Sequence, residues 1–415
     1  RLRRGPVADR RVQCCIAGGG PAGLMLGVLL ARAGISVLVL EKHADFLRDF
    51  RGDTIHPSSL EVMYELGVLN GLLELPHQKA PRLFGHIGAT RIPVADFRHL
   101  PTRCQYIAFM PQWDFLNLLA REAAAYPTFT LAMSTAASDL IHRDGRIVGL
   151  RAETADGPLT VQADLVVAAD GRGSRLRDRS QLPLVDHGAP MDVLWFKLAK
   201  GNLRDSHRGE QPLGRFAGGQ ILVLIDRGDY WQAGYVIAKG GLADLKAAGI
   251  EALRRRIAAI APELKPCLAA IDDWSATSLL TVQVNRLERW YEPGLLCIGD
   301  AAHAMSPVGG IGINLAIQDA VAAANLLALP LREGRLRTRD LEAVQARRLW
   351  PAAMTQRIQI MIQNRLIAGA LADGGIDRPP LFLRLFTRLP LLRRLPGRFI
   401  GLGLRPERPA AHLLA

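Results

Sequence analysis

A glycine-rich turn near the start of the chain has the residue types and spacing needed to bind the pyrophosphate of a dinucleotide. Residues 18–23 read Gly-Gly-Gly-Pro-Ala-Gly and follow the apolar run 12–17. In such a turn Gly18 permits the tight bend, Gly20 lets the backbone approach a phosphate, and Gly23 lets the following helix pack closely. The positive end of that helix then faces the phosphates. The motif predicts dinucleotide binding; a purely structural turn is the less favoured alternative.

A carboxylate stands where the ribose of such a dinucleotide would be bound. The next apolar run, 36–40, ends at Glu41, so that strand, helix, strand and acid follow one another in the order of a βαβ unit. An acid at the carboxyl end of a parallel strand faces the crevice in which these folds bind ligands. We therefore expect Glu41 to accept hydrogen bonds from an adenosine ribose, rather than to be an ordinary surface residue.

Two later clusters each place a lone aspartate at the end of an apolar run. The first is Asp170-Gly171, and the second contains Asp300 and continues through 307–314, where three glycines let bare backbone approach a flat ring. A helix that begins there would direct its positive end at the anionic edge of a reduced flavin. Three such clusters favour FAD over a nicotinamide dinucleotide alone. A glycine-rich helix start that Asp300 merely caps is the less favoured alternative.

A parallel sheet is needed to bring these clusters to one edge, and the sequence predicts an α/β fold that contains such a sheet and a second one. Alternating apolar and polar residues between about 186 and 240 indicate a further, mainly antiparallel sheet with one covered face. The predicted fold class is α/β: a Rossmann-like FAD-binding domain of the GR2 flavoprotein type, an inserted, mainly antiparallel substrate-binding sheet domain, and a helical C-terminal region. The predicted ranges are 10–75, 102–180 and 281–345 for the FAD-binding domain, 76–101 and 181–280 for the sheet domain, and 346–415 for the C-terminal helices and basic tail.

In this order and at this separation, the three clusters resemble those of the class A, single-component FAD-dependent aromatic hydroxylases, the superfamily of para-hydroxybenzoate hydroxylase and phenol hydroxylase. The resemblance covers about residues 11–345. It implies that the glycine turn and Glu41 hold the ADP half of FAD, and that Asp300 holds the ribityl chain.

The same resemblance extends to residues outside the three clusters. It implies that Arg51 lies near the flavin phosphates or ribityl chain, and that Arg177 belongs with Asp170-Gly171 to a second fingerprint for FAD and NAD(P)H. Gln112 stands where many relatives carry arginine, which is a mild departure. The cofactor-binding residues implied are Gly18, Gly20, Pro21, Ala22, Gly23, Glu41, Lys42, Arg51, Gln112, Asp170, Gly171, Asp300, Pro307, Gly310, Gly312, Ile313 and Asn314.

The resemblance also implies a reaction. NAD(P)H, with NADPH expected, reduces the FAD; O2 then forms a flavin C4a-hydroperoxide, whose distal oxygen is transferred to the substrate. The predicted enzyme is thus a monooxygenase that hydroxylates an aromatic, polycyclic or otherwise lipophilic small molecule. Two alternatives stay open: a reductase or oxidase of an isoprenoid or quinone-like compound without oxygen insertion, and a carrier of lipidated proteins, which the intact flavin loop disfavours.

Substrate contacts are expected from the antiparallel sheet above the flavin, although alternation turns about half of its side chains away. No catalytic base is assigned, and Pro307 and Gly310 are the candidates on the flavin-facing loop. We expect no metal site, because His56 and His303 are isolated from other ligands; His303 is expected to be structural. The substrate candidates are Trp195, Arg215, Tyr230 and Trp231, with Phe216 and Tyr235 as further aromatic candidates.

Positive charge is concentrated near the C-terminus. The formal net charge is +13, from 52 Lys and Arg against 39 Asp and Glu, and eight arginines lie between 377 and 408. Large apolar residues alternate with arginine over 381–389. This segment either covers the enzyme's own sheet, which we favour, or makes peripheral contact with an anionic membrane. Nucleic-acid binding is not expected, since no recognition fold is visible.

The remaining composition predicts a cytoplasmic enzyme. The five cysteines are odd in number and form no Cys-x-x-Cys pair, which favours reduced thiols. The sequence predicts no apolar stretch long enough to span a membrane, and the first residues lack the apolar core of a signal peptide. We expect a monomer or homodimer whose partners are a small-molecule substrate and O2.

Overall fold

The computed structural model describes residues 10–47, 54–200, 211–367 and 389–414. Arg51, predicted to lie near the flavin, and residues 381–388 of the basic tail fall outside these ranges. The described strands, in chain order, are β1 (Arg10–Ala17), β2 (Val37–Leu40), β3 (Thr54–Ile55), β4 (Gln78–Ala80), β5 (Arg82–Ile87), β6 (Thr90–Asp96), β7 (Ile107–Phe109), β8 (Phe129–Ala132), β9 (Ala136–Arg143), β10 (Arg146–Thr154), β11 (Gly157–Ala168), β12 (Leu184–Asp186), β13 (Met191–Ala199), β14 (Gln211–Ala217), β15 (Gln220–Asp226), β16 (Tyr230–Ala238), β17 (Thr277–Leu280), β18 (Asn285–Leu287), β19 (Tyr291–Glu292), β20 (Leu295–Cys297) and β21 (His303–Ala304). The described α-helices are α1 (Pro21–Arg32), α2 (Pro57–Glu65), α3 (Leu69–Glu74), α4 (Gln112–Ala123), α5 (Arg175–Arg179), α6 (Leu242–Ala247), α7 (Ile250–Ile260), α8 (Gly312–Arg332), α9 (Thr338–Ile362), α10 (Arg394–Leu402) and α11 (Ala411–Leu414).

An eight-stranded mixed sheet carries the predicted nucleotide-binding motifs. Its order is β19-β20-β11-β1-β2-β8, with β10 and β9 attached beside β11. The central strands β20, β11, β1, β2 and β8 run parallel. Cys14, Cys15 and Ile16 on β1 are fully buried, as expected for a parallel strand covered on both faces. Parallel strands bring their carboxyl ends to one edge, so the turns after β1, β11 and β20 meet there.

A seven-stranded sheet in the order β17-β13-β16-β15-β14-β5-β6 forms the second layer. Its pairs are antiparallel except for β14 with β5. One face packs on α7 and the 3-10 helix Pro262–Ala270, through a core that includes Leu194, Phe196 and Leu198. The opposite face is free to line a cavity. Together with the parallel sheet and the C-terminal helices, this arrangement confirms the predicted fold class.

The described part of the C-terminal region packs against the second sheet. Helix α10 packs on β6 so closely that a Cβ on Gly397 would lie 2.1 Å from the Asp96 carbonyl oxygen. Buried His56 donates from Nδ1 to the carbonyl of Ile400 at 2.7 Å, and burial lowers the pKa of His56 to about 4. The neutral imidazole therefore ties the start of α2 to α10 at physiological pH.

One expectation about membrane-spanning length is wrong. The helical stretch Val308–Arg332, 25 residues long, is apolar enough to cross a membrane by length and composition. A short 3-10 turn, Val308–Gly310, extends the apolar helix α8 at its start, and the separate sequence patterns of turn and helix do not indicate the combined length. Since 78% of the apolar window is buried inside the structure, the stretch serves as a core helix between the sheet and its neighbours.

Candidate active site

A single large cavity joins the edge of the parallel sheet to the open face of the seven-stranded sheet. Its volume is about 1450 Å³, which exceeds the roughly 300–1,000 Å³ of a usual small-molecule site. The glycine turn after β1 lines one end and the second sheet lines the other. Fourteen of the predicted cofactor residues line it: Gly18, Gly20, Pro21, Ala22, Glu41, Lys42, Gln112, Asp170, Gly171, Asp300, Pro307, Gly310, Gly312 and Ile313.

The turn after β1 has the shape of a phosphate cradle. Gly18 has φ +107°, and a Cβ there would lie 2.3 Å from the Ala169 carbonyl oxygen; one on Gly23 would lie 1.9 Å from the Gly18 carbonyl oxygen. At Gly20, by contrast, a Cβ would meet nothing within 4 Å. Helix α1 begins without a side-chain cap, which leaves its first N–H groups for a ligand. The residues therefore fit a dinucleotide pyrophosphate. Gly23 supports the turn from behind and does not line the cavity.

Glu41 lies beside this cradle. Its Oε2 accepts from the Gly19 N–H and its Oε1 from the His43 N–H, both at 3.0 Å. These bonds fix the carboxylate at the end of β2, and each oxygen keeps lone-pair capacity for a ribose hydroxyl.

The second fingerprint organises the turn after β11. Asp170 accepts from the Arg175 N–H at 2.9 Å, and burial raises the pKa of Asp170. Buried Arg177 donates to the carbonyls of Arg172 at 3.0 Å and Ala301 at 3.4 Å. Arg177 thus joins the turns after β11 and β20, which the sequence alone could not show.

The turn after β20 presents Asp300 to the cavity. Arg172 donates to Asp300 Oδ2 at 3.1 Å, and the two side chains are 32% and 28% exposed, so a ligand could reach either. Asp300 and Arg172 both line the cavity beside the glycine turn. The Asp300 carboxylate has the chemistry to accept hydrogen bonds from ribityl hydroxyls.

The loop predicted to face the flavin, called the flavin-facing loop, runs from Ser306 to Gly310 and leads into α8. Gly309 and Gly310 both adopt left-handed backbone, with φ +79° and +63°. Thr54 Oγ1 donates to the Gly310 carbonyl at 3.0 Å, and Asn314 Nδ2 donates to the Thr54 carbonyl at 3.1 Å. Asn314 therefore fixes the loop from behind and does not itself line the cavity. The first residues of α8, Gly312 and Ile313, line the cavity, and no side chain caps the helix, so its positive end faces the cavity.

Gly310→Ala is expected to weaken FAD binding by about tenfold, because the new Cβ would lie 2.5 Å from Thr54 Oγ1 and displace the loop. Gly334→Ala is the matched control: Gly334 has φ +65° but open space around its Cβ position. Each variant should lose about 1–2 kcal/mol of stability from left-handed strain. FAD titration of both apoproteins checks the difference, and equal affinities would contradict the placement of this loop against the flavin.

The structure corrects part of the predicted substrate set. Trp195 and Phe216 line the cavity, whereas Arg215, Trp231 and Tyr235 lie on the opposite face of the sheet. Arg215 forms an ion pair with Glu263 there, and Trp231 and Tyr235 pack into the helix-covered core. The alternation of apolar and polar residues predicts that the second sheet has two different faces. The position of α7 decides which of the two faces is covered.

Tyr230 is also not a cavity residue. Tyr230 is the first residue of β16 and pairs with Ala199, the last residue of β13, and Lys197 Nζ lies 5.7 Å from its ring centroid. The wall of the substrate half consists mainly of aliphatic side chains that carried no distinguishing signal in the sequence. Examples are Leu83, Ile92, Val193, Ile221, Val223 and Met361.

A buried charge network behind the Asp300 turn was missed by the sequence analysis. Asp319, fully buried on α8, accepts from His303 Nε2 at 2.5 Å, from the Gly299 N–H at 3.1 Å and from Arg348 Nε at 2.9 Å. Arg348 also contacts Glu407 at 3.4 Å. His303 lies within this network rather than along the cavity wall. The residues of this network, His303, Asp319, Arg348 and Glu407, are far apart in the chain, and no local pattern indicates that they meet.

Comparisons with known proteins agree with this geometry. Residues 11–358 match the family model described as FAD binding domain. The chain is 33% identical to 6-methylpretetramide 4-monooxygenase of Streptomyces rimosus, over 94% of this chain and 92% of that protein. It is 28% identical to 12-dehydrotetracycline 5-monooxygenase/anhydrotetracycline 6-monooxygenase of Streptomyces rimosus, over 75% of this chain but only 61% of that protein.

Solved structures share the fold. P. aeruginosa PqsL in complex with 2-aminobenzoylacetate superposes with a TM-score of 0.74 at 22% identity, over 91% of this chain and 100% of that one. OxyS anhydrotetracycline hydroxylase from Streptomyces rimosus gives a TM-score of 0.73 at 23% identity, over 97% of this chain and 78% of that one. At these identities the likeness concerns the fold.

Proposed function

Because this chain belongs to the FAD-dependent aromatic hydroxylases, as its motifs predicted, and is thus an FAD-dependent monooxygenase, we propose that it hydroxylates a polycyclic aromatic compound with NADPH as reductant. The overall reaction inserts one atom of O2 into a C–H bond and reduces the other to water, while NADPH supplies two electrons as hydride, a proton is taken up, and NADP+ is released. FAD, when bound, carries the hydride and activates the oxygen.

The observation that carries the proposal is the mainly apolar lining of the part of the cavity that lies beyond the predicted FAD contacts. Beyond the predicted FAD contacts, the cavity continues between the seven-stranded sheet, the end of α9 and α10, with walls formed by side chains such as Trp195, Phe216 and Ile358. A wide apolar chamber suits a flat, multi-ring compound. Apolar walls also favour the exclusion of water from the reacting atoms, which a monooxygenase requires.

The relatives support the same substrate class. Those reported above are named for 6-methylpretetramide and for tetracycline derivatives, which are polycyclic. The similarity to the first relative extends over 94% of this chain, which includes most of the segments that line the cavity. We propose a polycyclic substrate on these grounds and leave its ring substituents to experiment.

The test is hydroxylation under 18O2. Purified holoprotein is incubated with NADPH and a panel of single-ring and multi-ring phenols, and products are analysed by mass spectrometry. We expect one 18O atom per product molecule and faster NADPH oxidation with multi-ring compounds. NADH in a parallel series tests the choice of reductant.

Two results would count against the proposal. NADPH oxidation that reduces the substrate without incorporating 18O would favour the alternative reductase or oxidase. Turnover confined to single-ring phenols would keep the monooxygenase but refute the polycyclic substrate class.

We also propose that the enzyme works in the cytoplasm as a monomer or homodimer. The five cysteines are unpaired in the structure, and four of them are buried, which suits a reducing compartment. Cell fractionation and light scattering of the holoprotein test location and assembly. Recovery in the membrane fraction would support the alternative of a lipid-bound tail.

A further inference from the structure

One face of α9 carries a row of buried polar side chains, an arrangement that needs a reason because buried polar groups must find partners. Gln345 accepts from the Trp290 N–H at 2.9 Å and donates to the Glu288 carbonyl at 2.8 Å. Further along α9, Gln356 donates to the carbonyls of Asn285 and Ala304. Gln356 also accepts from the Arg286 side chain at 2.6 Å. Both amides thus hold the segment that carries Asp300, Gln345 through backbone alone and Gln356 through backbone and the Arg286 side chain.

Gln359 is the member of this row that reaches the flavin-facing loop. Its Nε2 donates to the carbonyls of Ser306 at 3.0 Å and Val308 at 2.8 Å. Its Oε1 accepts from the Ser306 N–H at 3.2 Å. The side chain is 1% exposed and lies along the cavity wall. One amide therefore clamps the backbone on both sides of Pro307.

The chemistry of these three bonds requires an amide. The clamp needs two N–H donors and one acceptor on a single planar group, which glutamine supplies. A carboxylate has no donor, and an apolar side chain of the same length has neither donor nor acceptor. The far end of the loop is held separately by Thr54 and Asn314, so Gln359 governs the half that contains Pro307.

Helix α9 also lines the substrate half of the cavity. Ile358 and Ile362, which flank Gln359, line the cavity, and Ile360 packs in a cluster with Trp195 and Val308. One segment of α9 thus contacts both the flavin-facing loop and the substrate half of the cavity. A displacement of the loop would change the position of the flavin ring relative to the substrate.

We propose that Gln359 is a positioning residue that fixes the loop at Pro307, and thereby determines what fraction of the NADPH consumed yields hydroxylated product instead of hydrogen peroxide. This inference rests on the proposed function. It deepens that function by assigning control of coupling to a side chain that reaches the flavin only through the loop.

The test compares Gln359→Met with Gln356→Met in the full-length protein. Both changes keep side-chain length and remove three hydrogen bonds of one buried amide on the same helix face. Gln356→Met should lower the unfolding temperature at least as much as Gln359→Met, because one of its lost bonds is to the charged Arg286 side chain. Only Gln359→Met should shift the visible bands of bound FAD. It should also lower the fraction of NADPH oxidation that yields hydroxylated product, by about fivefold or more. The reason is that the loop backbone loses its buried hydrogen-bond partner, which favours a displaced loop by roughly that factor. FAD affinity should change less, since the ADP cradle is intact.

Gln359→Glu provides a second measurement if the methionine variant folds poorly. A protonated carboxyl can donate one hydrogen bond to the loop, whereas the carboxylate can donate none. The FAD spectrum of this variant should therefore move toward that of the wild type as pH falls, with no such change in the wild type over the same range. A purely structural role would not produce this pH dependence.

The inference is overturned if both methionine variants alter the FAD spectrum and coupling equally, or if neither does. A spectrum of Gln359→Glu that does not change with pH would also refute it. The spectral measurements need no substrate, so they decide the position of the loop even if no compound is hydroxylated and the proposed function fails.

Discussion

Gly23→Ala is expected to yield protein that purifies without FAD and binds added FAD at least about a hundredfold more weakly than the wild type. The new Cβ would lie 1.9 Å from the Gly18 carbonyl oxygen and 3.2 Å from Ile16 Cγ2. Backbone cannot rotate aside as a flexible side chain can, so the start of α1 must move away from the turn. That movement withdraws the N–H groups on which the pyrophosphate depends. Absorbance at purification and FAD titration measure the effect.

Gly20→Ala distinguishes loss of the ligand site from loss of the fold. Gly20 has φ −78°, which any residue adopts, and its Cβ would meet nothing within 4 Å of protein. The variant should therefore unfold at nearly the temperature of wild-type apoprotein, yet bind FAD more weakly, because the methyl group occupies space meant for the pyrophosphate. Unchanged FAD affinity in Gly20→Ala would show that the phosphates do not approach this turn.

Asp319→Asn is expected to destabilise the protein by about 3–5 kcal/mol, the usual cost of breaking a buried ion pair. The substitution leaves Arg348, 1% exposed, with Glu407 at 3.4 Å as its remaining carboxylate partner. In the wild type, three groups donate to the Asp319 carboxylate: His303, Gly299 and Arg348. In the variant, the amide N–H of asparagine faces one of these donors, which loses its acceptor. FAD should dissociate more readily, since the Gly299 N–H fixes the turn that presents Asp300.

The measurements are urea unfolding and FAD release on dilution. Asp139→Asn is the matched control, because Asp139 pairs with Arg151 at 3.6 Å with both side chains largely exposed. Exposed pairs of this kind contribute less than about 1 kcal/mol. Equal losses for the two variants would mean that the buried network contributes no more than a surface pair.

The dependence of protein stability on pH gives a further check on the ionisation of Asp319. Burial opposes its charged form, but His303 and Arg348 outweigh burial and hold the pKa of Asp319 below its ordinary value. A carboxyl with a lowered pKa in the folded state stabilises the protein above its unfolded pKa of about 4, and this stabilisation is lost as pH falls further. The stability gap between wild type and Asp319→Asn should therefore narrow below about pH 4. A gap that stays constant would contradict an ionised Asp319.

The sequence by itself determined the parts of the site that depend on local geometry. A tight turn between strand and helix requires glycine at particular steps, and the βαβ order places the Glu41 carboxylate at a strand end. Those rules act over a few residues, so they indicated the glycine turn, the Asp170 and Asp300 turns and the α/β fold. The same rules could not separate the covered face of the second sheet from its open face.

Only the tertiary structure decided which distant residues meet. Arg215, Trp231 and Tyr235 have the composition of a binding site, but helix packing turns them away from the cavity. Gln359 and Asp319 look like ordinary helical polar residues in the sequence, and their roles arise from partners on other elements. The physical reason is that a buried polar side chain is defined by the backbone groups it satisfies, and those groups come from wherever the chain folds back against it.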